Sequence, residues 1–558
     1  MSTFDTRRDQ MYPVLDAAQI AVARRFASGP AQHFASGAVI FAFGQRAAST
    51  WLVLEGSIEV ARHDGPDRVV SFMSERPGQF SGELSQLSGR GALAEGRAGP
   101  EGCTALPFDA AHLRALMVGS AELGEIVMRA FILRRVALLE VGGSGSVLVG
   151  RPGMPGLTRL QEFLRRNGYP FTVLDANDDA EGRAVIERFG IQPQELPLMV
   201  CPNGSVLKHP SDAEVGICLG LTPDLDPEKL YDVAVVGGGP AGLATAVYGA
   251  SEGLSVLVLD QRAFGGQAGA SARIENYLGF PTGISGLALT ARAFNQALKF
   301  GAEMAIPMDV TRLDCAARLA NPSEPLNLVL ANGNRLRART VVIASGARYR
   351  RLAVDNLAQF EGAGVFYWAS PIEAKLCQGE EIALVGAGNS AGQAVVYLAP
   401  NVKKLHLVVR GNGLEASMSR YLIDRIAALP NVVLHTGCEI VGLEGDTATG
   451  LAGATFRYRA GADLVQHALR HLFLFIGADP NTSWLHGCVE MDDKGFIITG
   501  ASGSDGGVRL PLETSLPGVF AIGDVRAGST KRVAAAVGEG AAAVAQIHTV
   551  LGSGASHA

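Results

Sequence analysis

Two glycine-rich segments of the chain have residue types and spacing that hold dinucleotides. The first, YDVAVVGGGPAGLATAVYGASEGLSVLVLD, starts at Tyr231 and places Gly237, Gly239 and Gly242 in G-x-G-x-x-G register. An apolar run, Val233 to Val236, precedes the glycines, a helix-forming run follows them, and Asp260 comes 18 residues after Gly242. In a strand–loop–helix unit the first glycine permits the tight turn. The second lets a pyrophosphate approach the backbone, and the third lets helix and strand pack closely. The helix N-terminus adds free N–H groups and the positive end of its dipole, and the acid can accept a hydrogen bond from a ribose hydroxyl. The second segment, EEIALVGAGNSAGQAVVYLA, repeats the spacing with Gly386, Gly388 and Ala391, and Asn389 and Ser390 lie between them. No acid ends its next strand; Arg410 stands there, 19 residues after Ala391. A carboxylate would repel a 2′-phosphate, whereas an arginine can pair with one, so the spacing favours NADPH over NADH. Two such sites in one chain suit a tightly held flavin, FAD, and an exchanging nicotinamide, with hydride passing between them.

A third segment, FYWASPIEAKLC, runs from Phe366 to Cys377 and ends just before the second glycine loop. Its adjacent aromatics, Tyr367 and Trp368, stand where redox chemistry could take place, and its one cysteine has no neighbour in sequence. The chain has seven cysteines, at 103, 201, 218, 315, 377, 438 and 488, and no C-x-x-C. That excludes the commonest zinc and dithiol signatures, and the wide spacing is not that of a secreted disulfide framework.

The elements that must position these residues belong to a multidomain chain of 558 residues with 47% hydrophobic and 18% charged residues, enough for several cores. Its 69 glycines are about 12% of the total, against a usual ~7%. The net charge of −6, without basic clusters, argues against a nucleic-acid partner. The N-terminus lacks the apolar core of a signal peptide, and no uninterrupted apolar run reads as a membrane span, so a soluble cytoplasmic protein with no membrane partner is expected. Residues 13–140 alternate short strand-like runs and glycine turns before a helical stretch, Ala121 to Glu140, which predicts an N-terminal β-barrel closed by a helix. The GGSGS run from Gly142 is linker chemistry. Residues 146–221 alternate strand and helix signals and end in a hairpin around PNG, a small α/β domain. The rest reads as two Rossmann-like α/β dinucleotide-binding domains.

From about Tyr231 onward the chain resembles the low-molecular-weight thioredoxin reductases. The resemblance rests on GGGPAG, GGQAGASARIENYLGFP, VVIASGA, FLFIGADPNT and TSLPGVFAIGDVRAGSTKRVAAAVGEGAAA, in that order. It implies a discontinuous FAD domain, residues 228–350 and 465–550, with an NAD(P)H domain, residues 351–464, inserted. It also implies flavin contacts from Gly266, Gln267 and Asn276, a ribityl contact from Gly523–Asp524, and a pyrimidine-edge stretch at Arg532, Val533 and Ala534. A homodimer is the expected assembly. Two departures stand out. Trp368 and Pro371 occupy the positions of the family's redox cysteines. In VVRGNGLEAS only Arg410 of the family's arginines remains, and Arg420 is a candidate substitute.

Residues 13–140 resemble a cyclic-nucleotide-binding barrel. Gly82, Glu83 and Leu84 match its phosphate cassette, with Glu83 implied at the ribose 2′-hydroxyl; Gly91 stands where the phosphate arginine is expected, with Arg90 one residue early. A cyclic nucleotide is thus a candidate partner. Residues 146–221 resemble a thioredoxin fold, with Pro197 matching its cis-proline, but GRPGMPG after the first strand has no redox cysteine. The expected activity is transfer of electrons from NAD(P)H through FAD to an acceptor other than a dithiol, with Trp368 facing the flavin and no metal site. The alternatives are a disulfide reductase with relocated thiols (Cys377, Cys438, Cys201) and a redox or nucleotide sensor.

Overall fold

The computed structural model describes residues 7–63, 69–82, 85–88, 91–141, 146–202, 204–223, 225–271, 273–321, 323–369, 371–446, 450–459, 464–500 and 509–555. Glu83, Leu84 and Arg90 of the cassette, and Gly142 to Gly145 of the linker, lie outside them.

In the N-terminal unit strand Glu95–Phe108 pairs antiparallel with Gln32–Phe34, Val39–Phe41 and Thr50–His63, and Thr50–His63 also pairs with Val69–Glu75. Asp109 caps helix Ala110–Gly119 by accepting from the His112 amide at 2.9 Å, and helix Ala121–Val141 follows. Leu123, Val127 and Phe131 recur on one buried face of the second helix, the spacing that the sequence showed. Arg134 on that helix reaches back to Glu75 at 3.4 Å and to the Gly82 carbonyl at 2.7 Å.

The second unit is a four-stranded sheet in the order Thr172–Asp175, Val147–Gly150, Leu198–Val200, Val206–Lys208, with helices Pro155–Arg166, Ala180–Phe189 and Asp212–Cys218. The Leu196–Pro197 peptide is cis, and the Pro197 ring lies against Gly156 at the start of the first helix. The domain carries a disulfide, Cys201–Cys218. Val147 pairs with Val200 and Val149 with Leu198, so Cys201 lies at the opposite end of the central strand from Gly150 and the Pro155 helix start. This pair is therefore not a displaced version of a dithiol at the helix N-terminus.

The flavin-domain sheet has parallel strands in the order Glu303–Ala305, Val256–Leu259, Leu230–Val236, Arg335–Ile343, with Val519–Ala521 pairing the last; a meander of Leu326–Leu330 and Val310–Asp314 extends it. Val233–Val236, the buried half of strand Leu230–Val236, is an uninterrupted apolar run of the kind parallel sheets require. A second disulfide, Cys315–Cys488, ties the meander to the returning C-terminal segment.

The nicotinamide-domain sheet runs Val365–Phe366, His471–Leu474, Glu381–Val385, Lys404–Val409, Val432–Thr436, and a three-stranded antiparallel sheet, Cys438–Asp446, Gly450–Tyr458, Leu464–Ala468, covers one side. Its extent corrects the expected boundary at residue 464, because His471–Leu474 is an inner strand of this sheet. The two crossings between the domains pair as Ala347–Tyr349 with Ala478–Pro480. Helix Val533–Ala555 contains a stretch, Val533–Gly552, long and apolar enough by length and composition to cross a membrane. In the fold this helix packs on helix Pro240–Ser251 and buries Ala543, Val544 and Ile547.

Candidate functional site

The two glycine loops, the crossing strands and the second unit converge on a cavity of about 550 Å³. Its flavin-domain wall starts at the first loop. Gly237 has φ +117°, and a Cβ there would sit 2.1 Å from the Ala344 carbonyl oxygen, so only glycine makes this turn. Gly239 caps helix Pro240–Ser251 with no side-chain bond, which leaves the helix N–H groups free toward the cavity. Gly242 is buried beneath the wall, where a Cβ would lie 1.9 Å from the Gly237 carbonyl oxygen. Asp260 lines the cavity, and its carboxylate accepts from the Gly238, Arg262 and Ala263 amides at 2.8, 3.0 and 3.1 Å. It fixes the loop as well as offering an acceptor to a ribose.

Gly266, Gln267 and Asn276 line the same cavity, as do Gly523, Asp524, Arg532, Val533 and Ala534. Gln267 donates to the Ala347 carbonyl on a crossing strand. The Gly523 amide donates to Glu539 at 2.6 Å, which sets the Gly-Asp turn against the last helix. Burial raises the Asp524 carboxyl and the neighbouring Lys531 ammonium opposes it; burial likewise lowers Lys531. The donors, the glycine cradle and the volume fit a dinucleotide such as FAD.

From the nicotinamide domain the structure brings Asn389 and Ser390 into the cavity, together with Gln393 and Phe475. Gly386, Gly388 and Ala391 do not line it. Gly386, at φ +149°, makes the turn beneath it, and a Cβ there would meet the Phe475 carbonyl oxygen at 2.5 Å. Arg410 is exposed at the end of its strand and away from the cavity lining. Arg420 bonds to Asp424 on its own helix at 2.9 Å.

Trp368 lines the cavity and is half-buried. Its indole N–H donates to Glu373 at 3.3 Å, Tyr349 lies 6.5 Å from its ring, and the Arg262 guanidinium lies 5.9 Å from it. Tyr367 is placed behind this wall, stacked on Tyr349 at 5.9 Å and bonded to Glu361 at 2.5 Å. Among the described residues no cysteine lines the cavity. Cys377 is buried in the nicotinamide-domain core with its thiol pushed up to about 11 by burial. Cys438 lies in a different cluster, also raised by burial.

Sequence reasoning missed the contribution of the second unit. Arg166, at the end of helix Pro155–Arg166, lines the cavity and donates to the Gly266 carbonyl at 2.7 Å. Asn167 donates to the Arg262 carbonyl at 3.0 Å, and Arg262 meets Glu162 and Asp212, each at 3.4 Å. Pro155, at the start of that helix, lies against Gly362 of the nicotinamide domain. Nothing local in the sequence marks Arg166, because its partners are about a hundred residues away.

Two glycine loops on two parallel sheets, facing one cavity, define a protein built to hold two dinucleotides. Residues 231–540 match pyridine nucleotide-disulphide oxidoreductase, and the chain belongs to that family, whose members use FAD and NAD(P)H. Residues 31–119 match the cyclic nucleotide-binding domain. One component of the Pseudomonas putida alkyl hydroperoxide reductase is 36% identical over 326 residues, 57% of this chain and 58% of that protein. NADH dehydrogenase of Bacillus subtilis is 32% identical over 313 residues, 56% of this chain and 57% of that protein. The chain thus spans under two thirds of the length of these relatives. Thioredoxin reductase of Mycoplasma pneumoniae is 31% identical over 332 residues, 59% of this chain and 98% of that protein. The crystal structure of T. acidophilum thioredoxin reductase superposes with a TM-score of 0.52 at 25% identity, over 58% of this chain and 99% of that one. The fold is that of a thioredoxin reductase-like flavoprotein behind an N-terminal cyclic nucleotide-binding domain.

Proposed function

We propose that the protein is an NAD(P)H-dependent flavoprotein oxidoreductase whose acceptor is not a disulfide at the family's usual position. The observation that carries this reading is the cavity wall: Trp368, at one of the two positions where the family carries its redox cysteines, lines the cavity beside Tyr349, and among the described residues no cysteine lines it. Bound FAD would supply hydride acceptance from the nicotinamide and electron donation to the acceptor. The residues positioned to hold it are Gly237, Gly239, Asp260, Gly266, Gln267, Asn276, Gly523, Asp524, Arg532, Val533 and Ala534. Asn389 and Ser390, at a helix start, are positioned to orient the nicotinamide nucleotide. Trp368 excludes water from its side of the cavity. Arg166 sets the Gly266 loop and offers positive charge to an anionic or electron-rich acceptor.

The test is anaerobic mixing of the purified flavoprotein with NADPH and with NADH, followed by turnover with oxygen, quinone, ferricyanide, free flavin and a dithiol reagent. The expected result is bleaching of the flavin band and turnover with at least one non-disulfide acceptor. Absence of bleaching, or turnover confined to the dithiol reagent and lost in Cys377→Ser, would overturn the reading.

A regulatory role for the barrel has its own support. Leu87 of the short cassette helix Ser85–Ser88, with Leu113 and Leu116 of the next helix, shares one apolar cluster with Phe264, Phe294 and Leu298 of the flavin domain. Thr290 on flavin-domain helix Gly286–Phe300, which also carries Phe294 and Leu298, lies directly over Gly265, next to cavity-lining Gly266. A cyclic nucleotide that moved the cassette would press on this helix. The measurement is the rate of flavin reduction with and without cyclic AMP or cyclic GMP; identical rates and unchanged oligomeric mass would count against it.

A further inference from the structure

Glu381, His406, His435 and His467 stand on four strands of the nicotinamide domain, three in the parallel sheet and one in the antiparallel sheet that covers it. His406 is buried at 1% exposure, with Nε2 2.7 Å from Glu381 Oε1 and Nδ1 2.8 Å from His435 Nε2. His435 Nδ1 lies 2.6 Å from the Tyr458 hydroxyl. The His467 ring lies 4.6 Å from the His406 ring and 4.2 Å from Phe456. Its Nε2 is shut off from solvent and has no hydrogen-bond partner. One ligand atom each from Glu381, His406 and His467 lies within 4.8 Å of the others.

We propose that Glu381, His406 Nε2 and His467 Nε2 form a site for one divalent transition-metal ion of the zinc class. Two imidazoles and a carboxylate are a ligand set such ions take, and the fourth tetrahedral position is left to water. Bonds of ~2.1 Å set tetrahedral ligands about 3.4 Å apart, so Glu381 and His406, at 2.7 Å, part slightly as the ion enters between them, and His467 draws in from a separation of no more than 4.8 Å. The ion replaces the proton shared between His406 Nε2 and Glu381. It also selects one direction for the relay behind it: His406 Nδ1–H donates to His435 Nε2, and His435 Nδ1–H donates to the Tyr458 oxygen. That is the outer arrangement that fixes a ligating imidazole's tautomer and orientation. A solvent-excluded imidazole nitrogen with no hydrogen-bond partner is costly to the fold, and a metal–nitrogen bond would remove that cost. The ion would tie the antiparallel layer to the parallel sheet, away from the dinucleotide cavity.

The experiment uses the full-length flavoprotein stripped with a chelator and titrated with zinc chloride, and with cobalt(II) chloride as a spectroscopic probe. The expected result is one equivalent of zinc bound, a raised melting temperature, and the visible band of tetrahedral cobalt to the red of the flavin absorption. His467→Ala, on the partly exposed Leu464–Ala468 strand, should weaken zinc binding at least tenfold with flavin content unchanged. His435→Phe should weaken it by about tenfold through loss of the relay, and His112→Ala, at an exposed histidine of the barrel, should leave it unchanged. Absence of binding by either ion, or wild-type affinity in both His467→Ala and Glu381→Gln, would overturn the proposal.

Discussion

Substituting Gly242 by alanine tests whether the first glycine loop holds a flavin by the close approach of helix and strand. The added Cβ would lie 1.9 Å from the Gly237 carbonyl oxygen and 3.1 Å from Val235 Cγ1. Carbon–oxygen contacts are ordinarily about 3.3 Å or longer, so the start of helix Pro240–Ser251 must retreat by about 1.4 Å. Overpacking of a close-packed site costs about 1–3 kcal/mol. At tenfold per ~1.4 kcal/mol, strain confined to the flavin-bound form weakens flavin binding about five- to 140-fold. Strain present in both forms instead lowers the melting temperature. The assay is fluorescence titration of deflavinated Gly242→Ala with FAD, alongside circular-dichroism melting of the same sample. A variant with wild-type flavin affinity and wild-type melting temperature would refute the reasoning.

Cys377 should resist alkylation in the native protein and react after denaturation, since its buried thiol is pushed up to about 11; peptide mass spectrometry reads the site, and rapid native labelling would contradict its burial. Burial pushes the Glu75 carboxyl up to about 8 against the opposing charge of Arg134. The folded chain therefore holds that proton more tightly than the unfolded chain, and the stability it contributes below about pH 4.5 is lost as pH rises through about 8. The barrel's melting temperature should fall between pH 5 and pH 8.5, and Glu75→Gln should flatten that slope. Arg410→Ala should raise the NADPH KM about tenfold through loss of one charge-assisted contact and leave the NADH KM unchanged; equal changes in both would remove Arg410 from nucleotide selection.

The parts of the site legible in the sequence are those whose chemistry is local. Gly237, Gly239 and Asp260 could be placed because strand, turn and helix follow one another directly, and the same holds for Asn389 and Ser390. Trp368 was legible as a residue type in the wrong place for a thiol. What stayed hidden depends on partners distant in the chain. His471–Leu474 is an apolar run that either sheet could use, and only its pairing with Glu381–Val385 assigns it to the nicotinamide domain. Arg166 reads as the solvated end of an amphipathic helix until Gly266 is found against it. The cluster of Glu381 with His406, His435 and His467 has no motif spacing, because its members come from four separate strands.

The second unit has a mechanical consequence. The two dinucleotide domains are joined by two crossings of the chain, and two supports leave one axis of rotation free. A body clamped to Gly266 and Arg262 on one side, and resting on Gly362 on the other, is a third support off that axis. The assembly then behaves as a tripod rather than a hinge, and the spacing of the two dinucleotide loops is set by the frame. Any turn of one domain against the other must first part either the Pro155–Gly362 contact or the ion pairs that Arg262 makes with Glu162 and Asp212.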